Sequence, residues 1–130
     1  MTNPDNTLRN KALVETFVDT IWNRKAFDRL AEFVDEGYQQ HNPNLPDGRS
    51  ALEGFLRGFY AETMPDGQFT IARIVAEGDM VVTHCLFKVS AEDNGTAVVD
   101  IYRIADGKLA EHWDVREAVP AATASGRPVV

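Results

Sequence analysis

Apolar residues recur at helical spacing through the first half of the chain and alternate with polar ones in the second, so helices precede strands. Val14, Phe17, Val18, Ile21 and Trp22 share one helical face and predict a first helix, capped by Asn6 or Thr7 and running to about Asn23. Ala26 to Val34 predicts a shorter helix with Phe27, Leu30, Phe33 and Val34 on its apolar face, ended by Gly37. Tyr38-Gln39-Gln40-His41 then reads as a short extended segment entering the loop Asn42 to Arg49, where Pro43, Pro46 and Asp47-Gly48 specify turns. Ser50-Ala51-Leu52-Glu53 has capping-box spacing and opens a third helix striped by Leu52, Phe55, Leu56, Phe59 and Tyr60.

Beyond Met64-Pro65-Asp66-Gly67 the period becomes that of strands. Gln68 to Ala76 and Met80 to Ser90 are joined by Glu77-Gly78-Asp79, and Ala97 to Ala105 and Lys108 to Val115 by an Asp-Gly turn. Three helices, a short strand near Tyr38 and four antiparallel strands predict one α+β domain, with the helices packed on one face of a curved, mainly antiparallel sheet. Residues 8 to 120 form its core, and the small, polar stretch from Pro120 reads as a loosely held tail over 121–130.

The last hairpin concentrates the chemistry, and its register decides which groups meet. A three-residue loop Ala105-Asp106-Gly107 sets Asp100 opposite His112, with Tyr102 and Asp114 on the same face. A two-residue Asp106-Gly107 turn slips the pairing by one, sets Asp100 against Trp113 and turns His112 and Asp114 to the other face. The first is preferred, because x-Asp-Gly suits a type I turn closed by a left-handed glycine.

Composition narrows the function. A 130-residue chain of net charge −7 with no cluster of Lys and Arg has no basic face for nucleic acid. No apolar run reaches the ~18 residues of a membrane span, and the polar opening MTNPDNTLRN lacks a secretory signal, so a cytoplasmic location is expected. The single cysteine, Cys85, excludes an internal disulfide and reads as a packed residue.

The segments YQQHNP, PDGRSALEGF and VVDIYRIADGKLAEHWDV, in this order of elements, resemble the SnoaL-like family of the nuclear transport factor 2-like superfamily. The resemblance implies a cone-shaped, cystatin-like fold whose sheet wraps a small-molecule pocket, and a homodimer paired through the sheet. Similar cones host polyketide cyclases, a ketosteroid isomerase, epoxide hydrolases and dehydratases. In the cyclases a strand aspartate removes a proton beside a carbonyl and a histidine manages the enolate, without metal or cofactor; Asp100 and His84 match that pair. Asp114 stands where the epoxide hydrolases carry an aspartate, but their Arg-x-Asp partner is absent from Val81 to Ser90, where Thr83-His84-Cys85 stands. The isomerase pattern fails too, since its base lies near His41 and the first helix offers Phe17 and Trp22 in place of a tyrosine.

These readings make Asp100 the candidate base, with His84, His112 and Asp114 completing the catalytic set, and Asp114 fixing His112. Tyr38, His41, Tyr102, Trp22, Phe55, Phe59 and Trp113 are the candidate substrate-binding residues. His112-x-Asp114 with His84 or His41 offers a metal triad, but no His-Glu-x-x-His or Cys-x-x-Cys spacing supports it, so neither metal nor cofactor is expected. The expected ligand is small, largely apolar and carbonyl-bearing, either converted by aldol, cyclisation or isomerisation chemistry or held by a binding module without turnover.

Overall fold

The structure is a computed structural model that describes residues 4–130, with side chains from Asn6 onward. Helix α1 (Pro4–Phe17) continues through a π-helical stretch, Val18–Asn23, in which Arg24 N–H reaches back to the Asp19 carbonyl at 2.8 Å. It begins at Pro4, upstream of Asn6 and Thr7, so neither is its cap. A 3₁₀ turn, Phe27–Glu32, replaces the expected second helix, and the chain extends directly into β1 (Val34–Gln40), with Gly37 inside the strand and not at a helix end. The change has a cause: Leu109 N–H donates to the Phe33 carbonyl at 2.7 Å, so the sheet captures this segment before another helical turn forms.

Helix α2 (Arg49–Phe55) continues through a π-helical stretch, Leu56–Tyr60, and ends at Ala61–Thr63. Gly48 precedes it and no side chain caps it, so Ser50 and Glu53 form no capping box. The sheet comprises β1, β2 (Gln68–Glu77), β3 (Met80–Lys88), β4 (Thr96–Ala105) and β5 (Lys108–Ala118), in the order β1-β5-β4-β3-β2, with β1 parallel to β5 and the others antiparallel. Val14, Phe17 and Ile21 of the first helix pack with Leu56, Val81 and Leu109 in the core between helices and sheet. This is the expected α+β architecture.

The β4–β5 register is neither of the two expected. Ala105 pairs with Lys108 around a two-residue turn in which Asp106 (φ 51°) and Gly107 (φ 75°) are both left-handed. Ile104 then pairs with Leu109 but Arg103 with Glu111, so Ala110 is an extra residue in a β-bulge. The bulge restores the parity that the short turn reverses. Asp100 lies opposite Asp114 and Tyr102 opposite His112, all four on the face toward the helices.

Candidate functional site

The inner face of the sheet and the helices enclose a cavity of about 720 Å³, within the range of small-molecule sites. Trp22, Phe55, Phe59, Phe69 and Phe87 make one part of its wall apolar. Trp22 holds this group together, with ring centroids 4.9 Å from Tyr60 and 5.4 Å from Phe69. The widened turns of both helices carry Val18, Trp22, Phe59 and Tyr60 to the wall.

The polar part is built where β1 meets the β4–β5 hairpin. Parallel pairing sets Gln40 beside His112, and period two turns Tyr38, Gln40 and Asn42 inward together. Gln40 Oε1 accepts from the backbone N–H groups of His41 (3.1 Å) and Asn42 (3.0 Å), which identifies it as the amide oxygen. It also lies 2.7 Å from His112 Nδ1, so that nitrogen carries hydrogen. The other ring nitrogen, Nε2, lies 2.8 Å from Asp100 Oδ1.

With Nδ1 already a donor, that last contact requires one further proton, held either by Nε2 as imidazolium or by Asp100 as the neutral acid. In both forms the pair holds that proton and is neutral overall. Asp100 and His112 are only 7% and 8% exposed. Burial pushes the Asp100 carboxyl upward, assisted by Asp114 and opposed by His112 and Arg116. Asp100 Oδ2 has no hydrogen bond among the described residues and Asp100 lines the cavity, which leaves this oxygen for a ligand.

Asp114 is fixed by Asn42, whose Nδ2 donates to its two carboxylate oxygens at 3.1 and 2.8 Å, while Asn42 Oδ1 accepts from Asn44 N–H at 2.9 Å. Asp114 therefore sits opposite Asp100 and is held by the loop after β1; contrary to expectation, it makes no hydrogen bond to His112. The ligand atoms of Asp100, His112 and Asp114 lie within 4.8 Å of one another, the one metal-capable group among the described residues. Both His112 nitrogens are already engaged within the protein, so a cation could take this histidine as a ligand only by displacing its bond to Gln40 or to Asp100.

Three expected site residues lie elsewhere. His84 belongs to the opposite face of β3 from Thr83 and Cys85 and contacts Arg73 on the outer side of the sheet, so it cannot reach Asp100. His41 alternates outward from Gln40, stacks on Trp113 at 4.7 Å and bonds Glu111 at 2.8 Å. Trp113, opposite Ile101, is likewise on the outer face. Tyr38, Tyr102, Trp22, Phe55 and Phe59 all line the cavity, as do Asp100, His112 and Asp114.

Over residues 12–124 the sequence matches the family described as SnoaL-like polyketide cyclase. The chain belongs to the SnoaL-like family. TsrD from Streptomyces laurentii is similar at 25% identity, with a TM-score of 0.71 over 85% of this chain and 89% of that one. A SnoaL-like polyketide cyclase from Agrobacterium tumefaciens (19%, TM-score 0.70, 83% and 91%) and a ketosteroid isomerase-like protein from Kribbella flavida (20%, TM-score 0.76, 91% and 84%) share the nuclear transport factor 2-like fold. No curated protein matches the chain. SnoaL-like membership fits a small-molecule-binding fold, and among the described residues no helix is long and apolar enough to cross a membrane.

In this SnoaL-like site, sequence reasoning missed Gln40, Asn42 and Arg116, all of which line the cavity. A signal for the first two existed: once Tyr38 faces inward on a strand, Gln40 and Asn42 must follow it and His41 must not.

Proposed function

We propose that this SnoaL-like protein binds a small, largely apolar carbonyl compound and catalyses cofactor-free proton transfer at the carbon next to its carbonyl, as in aldol closure, cyclisation or isomerisation. The observation that carries the reading is the buried Asp100–His112 pair, keyed by Gln40, with Asp100 Oδ2 left free on an aromatic cavity. Desolvation strengthens a carboxylate as a base, and in the form whose shared proton sits on Nε2 the Asp100 carboxylate is ionised and its free oxygen can accept a proton. When Oδ2 takes the substrate proton the pair becomes cationic beside the enolate, and Asp114, held by Asn42, balances that charge.

The test is hydrogen–deuterium exchange at the α-carbon of 2-tetralone, followed by NMR. Wild-type protein accelerates exchange, and Asp100→Asn loses roughly 10²–10⁴-fold of it. Binding without accelerated exchange would instead make the protein a binding module.

The proposal includes a second copy of the chain on the outer sheet face. Val75, Val82, Ile101 and Trp113 pair successively across β2, β3, β4 and β5, forming one apolar row. Val75 and Val115 on the same face are 62% and 66% exposed, so the row belongs to a wider apolar patch. The same face on two copies would meet by two-fold symmetry. Sedimentation at micromolar concentration is expected to give a dimer and Val115→Lys a monomer; a monomeric wild type removes this part of the reading.

A further inference from the structure

Tyr38 of β1 and Tyr102 of β4 flank the His112 ring, Tyr38 nearly parallel to it at 6.2 Å and Tyr102 at 5.0 Å between centroids. Each is 3% exposed and lines the cavity. Neither phenol oxygen has a hydrogen-bond partner among the described residues, whereas a buried tyrosine hydroxyl ordinarily finds one. The hydroxyls are not sealed in packing, because Thr83 Oγ1 is the only fully buried side-chain polar atom without a partner among those residues. The open surface the two tyrosines share is the cavity.

Their rings are held in place. Phe17 packs nearly perpendicular to Tyr102 with ring centroids 6.0 Å apart, and Gly48 N–H fixes the Tyr38 backbone carbonyl at 2.7 Å. Burial, and secondly the Asp100 carboxylate, push both phenols well above their ordinary value, so they stay protonated at neutral pH. Two fixed neutral donors in a desolvated wall match an acceptor oxygen, and they penalise any ligand that lacks one.

We propose that Tyr38 and Tyr102 form a two-phenol subsite for an acceptor oxygen of the ligand, namely the carbonyl oxygen of the compound on which Asp100 acts. The second half of this inference rests on the acid–base reading above. As Asp100 Oδ2 takes the α-proton, the C–H electron pair forms the carbon–carbon double bond and the carbonyl π pair moves onto oxygen. The phenols donate to that oxygen and keep their own protons. The ligand class is thereby a ketone or related carbonyl compound whose oxygen points toward His112, with its apolar body along Trp22 and Phe55.

The experiment compares 2-tetralone with tetralin, which has the same shape without the oxygen, and records the infrared stretch of carbonyl-labelled 2-tetralone in the bound state. Wild type and Asp100→Asn should both lower the stretching frequency and prefer 2-tetralone. Tyr38→Phe and Tyr102→Phe should each weaken 2-tetralone binding roughly three- to tenfold, leave tetralin binding unchanged and shrink the frequency shift, and the double variant should abolish it. Unfolding curves of the Phe variants check that only the oxygen has been removed. An unchanged stretch and affinity in the double variant overturns the inference, as does equal binding of both probes, or binding of neither, by wild type. A wild type that shifts the carbonyl but exchanges no deuterium retains the oxygen subsite and rejects the acid–base reading.

Discussion

Replacing His112 with Phe tests whether the Asp100–His112 contact is a paired charge or a packing accident. The substitution preserves a ring between Tyr38 and Tyr102 but removes the only hydrogen-bond partner of the Asp100 carboxyl group among the described residues, and both side chains of the native pair are 10% exposed, so solvent does little to soften the loss. Breaking a buried ion pair from one side costs about 3–5 kcal/mol, a large part of a small domain's stability. Gln40 keeps its two backbone donors and adds little to that figure. The sign with pH follows from the raised Asp100 carboxyl. Its folded state binds the proton more tightly than the unfolded chain, so its burial costs nothing below the ordinary carboxylate range and costs more as pH rises toward and through the raised value. The deficit of His112→Phe against wild type should therefore be largest at pH 7–8 and shrink toward pH 4. Asp100→Asn on the His112→Phe background should recover most of it. Urea denaturation of the four-member cycle across that pH range measures both effects. A coupling below about 0.5 kcal/mol, or a deficit independent of pH, would refute the paired-proton account.

Asp100→Asn alone should match or exceed wild-type stability at pH 7–8, because Asn can donate to Nε2 without a buried charge, and this advantage should vanish below the ordinary carboxylate range; thermal melts at the two pH extremes check it. Asn42→Ala should cost about 1–2 kcal/mol in urea denaturation, since it frees the half-buried Asp114 and the Asn44 N–H together, and it should lower α-exchange without abolishing it. Gly95→Ala, at φ 94° with a new Cβ only 2.7 Å from Leu86 Cδ1 and 2.8 Å from the Phe87 carbonyl oxygen, should cost at least about 1 kcal/mol; a neutral result would mean that the β3–β4 connection relaxes freely.

The helix-to-strand order and the aromatic wall were legible because periodicity reports which face is buried: Trp22 and Phe55 pack against the core, and Phe59, though 47% exposed, lies on the same cavity wall. The segment Ala26 to Val34 was not, because a hydrogen bond from distant Leu109 decides where it becomes strand. His84 misled for a related reason. Its apolar neighbours Val82 and Leu86 lie on the outer face with it, so an apolar run there marks a two-sided strand and not a buried histidine.

The hairpin goes further, because its apolar pattern argues against the structure it adopts. Continued regularly from Leu109, β5 would turn Glu111, Trp113 and Val115 inward and His112 and Asp114 outward. One extra residue, Ala110, reverses this, placing His112 and Asp114 on the cavity and leaving Val115 66% exposed. The site is thus obtained by exporting apolar side chains to a surface that a second copy would cover. Deleting Ala110 separates the two contributions of the bulge, its extra residue and its local twist. The shortened strand still pairs Ile104 with Leu109, Arg103 with Glu111 and Tyr102 with His112 around the same Asp106-Gly107 turn, now without an interruption. The inner face should therefore be preserved, and nitrogen NMR of the His112 ring should still report both nitrogens hydrogen-bonded. An imidazole with solvent-like shifts in that variant would mean that the twist of the bulge, and not the parity it sets, holds the pair together.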